Sequence, residues 1–250
     1  MIKEGVVSVF GTSFNALTYE RTLQIIDERL SSGKFTQHVV INVAKIVNMQ
    51  SDARLKRAVE ACDLINIDGM GVVWGTTLLG YSVPGRVTGI DLFYKLLALA
   101  QDRGYSVFLL GAKKPVIRSA VDRLRGMYPH LKIAGFYHGY FWDHEKEVVD
   151  LIKASKTDML FVAISSPKKE QFIDQWKDEL GVGFAMGVGG TFDIVAGYVK
   201  RAPLWMQNSG LEWFFRITQE PSRMWRRYLV TNSKFILMLL QEFLKKYGRK

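Results

Sequence analysis

Residues 63–71 read DLINIDGMG: a short run with the Leu and Ile content of a buried strand, then an acid, Asp68, followed by Gly69 and Gly71. Further runs share the strand character: QHVVIN (37–42), YSVFLLG (105–111), LKIAGF (131–136), TDMLFVA (157–163) and GVGFAMG (181–187). Amphipathic patterns separate them, with Leu23, Ile26 and Leu30 at helical spacing and another helix expected from near Thr88 to Arg103. Apolar strands alternating with helices predict an α/β fold: a Rossmann-like, mainly parallel sheet with helices on both faces. Past Arg201-Ala202-Pro203 the sequence reads as helices only, near 204–219 and 222–247, with a break at Glu220-Pro221. The expected organisation is an α/β domain over 1–199 and a basic helical appendage over 200–250.

Composition narrows the function classes. Hydrophobic residues make up 48% and charged residues 23% of the chain, which excludes a mainly disordered protein. Cys62 is the single cysteine, so an internal disulfide is excluded and a reducing compartment is expected. The N-terminal residues meet charge too soon for a secretory signal, and no run approaches the ~18 apolar residues of a membrane span. The net charge of +10 is concentrated, because residues 200–250 hold eleven Lys and Arg against three Glu, together with Trp205, Trp213 and Trp225. That asymmetry points to an anionic partner (membrane, phosphorylated substrate or nucleic acid) or to a plain solvated basic face. Within it FILMLL (235–240) is apolar nearly all round, with Arg223, Arg226 and Arg227 before it and Lys245, Lys246, Arg249 and Lys250 after it. Such a helix lies in a membrane interface or completes the core.

Several constellations can carry chemistry. Asp68 stands beyond the carboxyl end of a strand, where open parallel sheets gather their ligands. It is either a general base, with flanking glycines leaving room for substrate, or an Asx-turn or helix cap. In Arg86-Val87-Thr88-Gly89-Ile90-Asp91, Thr88 can cap a helix whose free amides attract anions, and Arg86 can bind phosphate or acceptor. Gly187-Val188-Gly189-Gly190-Thr191-Phe192-Asp193 follows a buried strand; it is a nucleotide-cradling loop, with Asp193 accepting from base or ribose, or a tight turn. It is neither GxGxxG nor a P-loop, which weighs against a nicotinamide-dependent oxidoreductase. Arg216, Arg223, Arg226 and Arg227 either clamp a diphosphate or form a salt-bridged, lipid-facing helix. The basic charge lies beside an apolar helix rather than among exposed stacking aromatics, which weighs against a nucleic-acid-binding module.

There is no Asp-x-Asp triplet, and His38, His130, His138 and His144 lack zinc-ligand spacing, so no metal and no cofactor are expected.

Taken in order, these pieces resemble the bacterial WecG/TagA/CpsF glycosyltransferase family. The matching segments are Ile67-Asp68-Gly69 with Gly71-Val72-Val73, Arg86 to Asp91, Ser166-Pro167-Lys168-Lys169-Glu170, Gly187 to Asp193, Ala196-Gly197 with Arg201-Ala202-Pro203, and Gly210-Leu211-Glu212-Trp213 through Glu220-Pro221 and Arg223. The resemblance implies an inverting, metal-independent transfer from a UDP-sugar to a polyprenyl-diphosphate-linked saccharide, as in teichoic acid or exopolysaccharide synthesis. It implies Asp68 as base and Arg86 in the acceptor or phosphate pocket. Asn42, Thr88, Lys169, Gly187, Gly189, Gly190, Thr191 and Asp193 would contact substrate, and Arg216, Arg223 and Arg226 would close over the diphosphate. Family members often carry Thr where this chain has Val40, and Gln where it has Lys169, which leaves the donor sugar and the exact acceptor open. The enzyme is expected on the cytoplasmic, inner face of the cell membrane, held by an anionic surface, with self-association allowed and no nucleic acid bound.

Overall fold

The computed structural model describes residues 1–248; Arg249, Lys250 and the side chain of Arg223 lie outside the described residues. The chain opens with a hairpin the sequence pattern did not announce, β1 (Val6–Val9) and β2 (Thr12–Asn15), paired antiparallel. Its turn is Phe10-Gly11, with φ of 56° and 68°. Two positive φ values make the primed geometry that matches strand twist, but Phe in the first position is no turn signal. What holds Phe10 there is burial: its ring packs against Phe235 with centroids 4.8 Å apart.

The six expected strands all form: β3 (Thr36–Ile41), β4 (Leu64–Ile67), β5 (Ser106–Gly111), β6 (Lys132–Tyr137), β7 (Met159–Ala163) and β8 (Phe184–Gly187). Strand β8 starts at Phe184 rather than 181, because Gly181 takes φ +66° and turns the chain. The six make one parallel sheet in the order β4-β3-β8-β7-β5-β6. The edge at β4 is covered: Asn15 Oδ1 accepts from Ile65 N at 3.0 Å, while Asn15 Nδ2 donates to the carbonyls of Ile2 and Glu4.

The helices are α1 (Tyr19–Ser31), α2 (Val43–Met49), α3 (Ala53–Glu60), α4 (Met70–Leu78), α5 (Gly89–Arg103), α6 (Lys114–Met127), α7 (Glu145–Ala154), α8 (Lys168–Trp176) and α9 (Thr191–Val195), then α10 (Leu204–Asn208), α11 (Glu212–Gln219) and α12 (Pro221–Tyr247). Alternate strand residues sort the core into two sides. Val40, Phe161 and Met186 meet α1, α5, α6 and α9, whereas Val39, Ile41, Val162 and Ala185 meet α2, α3, α7 and α8. A helix was expected over 204–219, but Gly210 at φ +74° divides it into α10 and α11. A Cβ on Gly210 would lie 2.8 Å from the Met70 side chain, so this turn sits on the start of α4, directly after Asp68 and Gly69.

Helix α12 packs along α2 and carries three stripes. Met224, Thr231 and Phe235 are buried; Phe235 joins the cluster of Phe10, Ile46 and Val72. Trp225, Leu229, Ile236, Leu237 and Leu240 form an exposed apolar stripe on the side of the helix turned away from these, and Arg227, Lys234 and Lys245 an exposed basic one between the two. The helix therefore completes the core with one side and leaves a second apolar side uncovered. Replacing Phe235 by Ala is expected to cost about 3 kcal/mol in urea denaturation, whereas Leu237→Ala, at an exposed position, stays within about 0.5 kcal/mol.

Candidate active site

The carboxyl ends of β4, β3, β8 and β7 follow one another along one margin of the sheet, and most of the sequence motifs stand there. Asp68 comes straight off β4, its N–H donating to Ile41 O at 2.8 Å. Val87 N–H donates to Ile67 O at 2.6 Å, which brings the Arg86–Thr88 segment beside it. Burial pushes the Asp68 carboxyl above its ordinary value; the positive charges of Arg216, Arg86 and Lys45 oppose that, and Glu212 reinforces it. A half-buried acid that holds its proton more firmly than usual is suited to take one near neutral pH.

The flanking glycines do not leave room for substrate as the sequence suggested. A Cβ on Gly69 would lie 3.2 Å from Asn42 Cβ, and one on Gly71 would lie 2.8 Å from the Val43 side chain. Both positions are small because the start of α4 packs against the start of α2. Asn42 caps α2, its Oδ1 accepting from Lys45 N at 3.0 Å. Thr88 caps α5 and is tied into a network: its N–H donates to Tyr19 Oη at 2.7 Å, and its hydroxyl donates to Asp91 Oδ2 at 2.6 Å.

Gly187, Gly189 and Gly190 serve different ends. The Gly187 Cα faces the Lys169 stem, where a Cβ would come within 2.7 Å. Gly189 turns the chain at φ +57°, and both it and Gly190 look into open space. Thr191 closes the turn by donating its hydroxyl to Val188 O at 2.7 Å, and α9 begins there. These two open glycines are the part of the loop a ligand can approach closely. Asp193, half-buried on α9, is raised by burial and lies within reach of the charges of Lys113 and Glu220.

Lys169 is buried. With Lys45, from the otherwise apolar start of α2, it meets one oxygen of Glu170, each ammonium 2.7 Å away, and Lys45 also donates to Val40 O. Two cations around one carboxylate leave a surplus positive charge beneath the margin. Burial, with Lys45 adding to it, lowers Lys169 to about 8. The same two lysines overcome burial at Glu170 and hold it well below the carboxylate range.

Residues from Arg201 onward meet this margin. Arg86 Nη1 donates to Glu212 Oε2 and Nη2 to Gln207 O, each at 2.6 Å. Arg201 grips Asp91 with two bonds of 2.6 and 2.7 Å. Arg216 lies close enough to act on Asp68 and on Tyr228, while Arg227 acts on Lys169. Arg216 and Arg226 are exposed, and the Arg223 side chain lies outside the described residues. Asp68, Arg86 and Arg216 are thus brought together; Asp193 stands on α9 just after the open glycines, with the charge of Lys113 acting on it.

Some groups escaped the sequence reading. Lys45 left one signal, a lone charge in the apolar run Val43-Ala44-Lys45-Ile46-Val47. Glu170 and Glu212 lay inside quoted motifs without a role, and Tyr19 and Tyr228 gave none. The sequence profile of the Glycosyl transferase WecG/TagA/CpsF family matches residues 7–249. The chain belongs to this family. It is a glycosyltransferase, and among its relatives two from Bacillus bear the name N-acetylglucosaminyldiphosphoundecaprenol N-acetyl-beta-D-mannosaminyltransferase. The Bacillus subtilis protein is 39% identical over 175 residues, 70% of this chain and 67% of its own. The Bacillus spizizenii protein is 40% identical over 188 residues, 75% of this chain and 72% of its own.

The buried lysine gives this WecG/TagA/CpsF protein a pH signature. Lys169 binds its proton less tightly folded, at about 8, than at its ordinary 10.5. Between those values the unfolded chain carries more protons, so this group makes stability rise with pH. Lys169→Gln removes that rise: between about pH 8 and 10.5 the urea midpoint of wild type is expected to climb relative to that of the variant.

Proposed function

We propose that this chain transfers a sugar from a UDP-sugar to a saccharide carried on polyprenyl diphosphate, with inversion and without a metal ion, in cell-surface polysaccharide or teichoic acid synthesis. Asp68 takes the proton of an acceptor hydroxyl. That oxygen bonds to the anomeric carbon on the face opposite UDP, the bond from that carbon to the diphosphate oxygen breaks, and UDP leaves with the electron pair. The single displacement inverts the centre. The donor lies along the open face of Gly189-Gly190, with Gly187, Thr191 and Asp193 shaping its nucleotide end and Lys169 adding positive charge below. Arg216 and Arg226 hold the charge of the departing diphosphate, and Asn42, Arg86 and Thr88 fix the loops around the acceptor.

What carries this reading is Asp68: a carboxyl raised by burial, at the carboxyl end of β4, with the guanidinium groups of Arg86 and Arg216 acting on it. The names of the Bacillus relatives support the lipid-linked acceptor class. Among the described residues no helix is long and apolar enough to cross a membrane. Leu204, Trp205, Leu237 and Leu240 are nonetheless exposed on the appendage, beside basic residues, as an interfacial binder requires. We therefore infer that residues 200–250 seat the enzyme on the anionic inner face of the cell membrane, where its acceptor resides.

Asp68→Asn is expected to fold and to lose at least about a hundredfold in transfer, read by UDP release with a short-chain polyprenyl-diphosphate sugar. Turnover like wild type removes Asp68 from the base role. Because the folded carboxyl holds its proton more tightly than the unfolded one, its contribution to stability falls as pH rises through the folded value. The variant is therefore expected to be no less stable than wild type at neutral pH. Leu237→Glu with Trp205→Glu is expected to weaken co-sedimentation with anionic vesicles about tenfold while sparing transfer to a soluble acceptor. Unchanged sedimentation would sink the docking surface.

A further inference from the structure

Glu212 opens α11 and is the only acidic residue of that helix. Its carboxylate sits between two arginines from different parts of the chain: Oε2 accepts from Arg86 Nη1 at 2.6 Å, and Oε1 lies 3.6 Å from Arg201 Nε. The side chains of Arg86 and Glu212 are only 17% and 20% exposed, so the pair is largely withdrawn from solvent. Arg86 spends its other terminal nitrogen on Gln207 O. Both of these bonds go to the appendage and neither to the sheet domain that carries Arg86. The direction of the guanidinium is therefore decided by α10 and α11.

The charges that act on Asp68 come from three elements. Arg216 and Glu212 belong to α11, Arg86 to the loop before α5, and Lys45 to α2. The phenols of Tyr19, from α1, and Tyr228, from α12, lie within reach of the Asp68 charge. Of the four charges with the largest effect on Asp68, Glu212 supplies the negative one.

We propose that Glu212 is a positioning residue for the transfer reaction, one that aims Arg86 beside Asp68 and sets a negative charge against the cations of Arg216, Arg86 and Lys45. This rests on Asp68 as the base. A carboxylate pressed by three cations is a poor proton acceptor, and a neighbouring anion restores its basicity. The direction of the Asp68 shift, in which Glu212 reinforces burial, agrees with that geometry.

The test uses the full chain and two variants of opposite sign. Glu212→Gln keeps the length and one carbonyl for Arg86 but removes the charge; Arg216→Gln removes a cation. The Asp68 carboxyl carbon is titrated by NMR in each, and the pH profile of kcat/KM is recorded alongside. Glu212→Gln is expected to move the Asp68 midpoint, and the acid limb of the profile, down by about half a pH unit or more, and Arg216→Gln to move the midpoint up. If the midpoint in Glu212→Gln stays where wild type has it, or rises, Glu212 does not tune Asp68 and the proposal falls. Should Glu212→Gln fail to fold, the Arg216→Gln titration decides: no upward shift means α11 does not act on Asp68. The two readings fail separately, since an active Asp68→Asn overturns the base role whatever the titration does.

Discussion

Two arginines, Arg86 and Arg201, converge on one carboxylate of α11, and the seating of that helix beside the Arg86 loop depends on the meeting. Arg86 and Glu212 are 126 positions apart in the chain. Ordering so long a loop costs entropy that a single exposed ion pair does not return. Here the pair is withdrawn from solvent, and Arg201 extends it to Asp91, Thr88 and Tyr19. The network thus ties α1, the α5 cap, the Arg86 loop and α11 into one frame around Asp68. The cap that fixes α5 and the bonds that hold the appendage share atoms.

That frame explains why so many polar groups tolerate partial burial. Asp91 shows the balance: burial alone would raise its carboxyl, yet the bonds from Arg201 and Thr88 hold it below its ordinary value. Below the sheet margin the balance is different. Lys45, Glu170 and Lys169 form a buried cluster with one cation in excess, and its cost appears as the lowered Lys169. His38, buried against Asn66, is driven down to about 4 and so stays neutral. Positive charge therefore collects beneath the site margin in the buried Lys45–Glu170–Lys169 cluster, while His38 nearby stays neutral.

Helix α12 answers a question the sequence had left with two answers, core or interface. It does both, because a helix presents separate faces. Phe235 fills the space against Phe10 and Gly75, where a Cβ on Gly75 would lie 3.2 Å from the Phe235 ring. Leu237 and Leu240, on another face, remain more than half exposed. Periodicity over FILMLL cannot separate these sides, since the run is apolar at every position.

The sequence by itself determined the parallel sheet, because continuous Val, Ile, Leu and Phe runs have no soluble alternative to burial on both faces. It also marked Asp68, the glycine loop and the basic tail, since the residue types at strand ends and in the tail carry their chemistry locally. The hairpin turn at Phe10-Gly11, the division of α10 from α11, and the reason for Gly69 and Gly71 were decided by tertiary structure, because each answers to a neighbour distant in sequence. The same holds for Lys45, Glu170 and Glu212. A charge becomes functional through what lies beside it, and only the folded chain brings Glu212 to Arg86 or two lysines to one carboxylate.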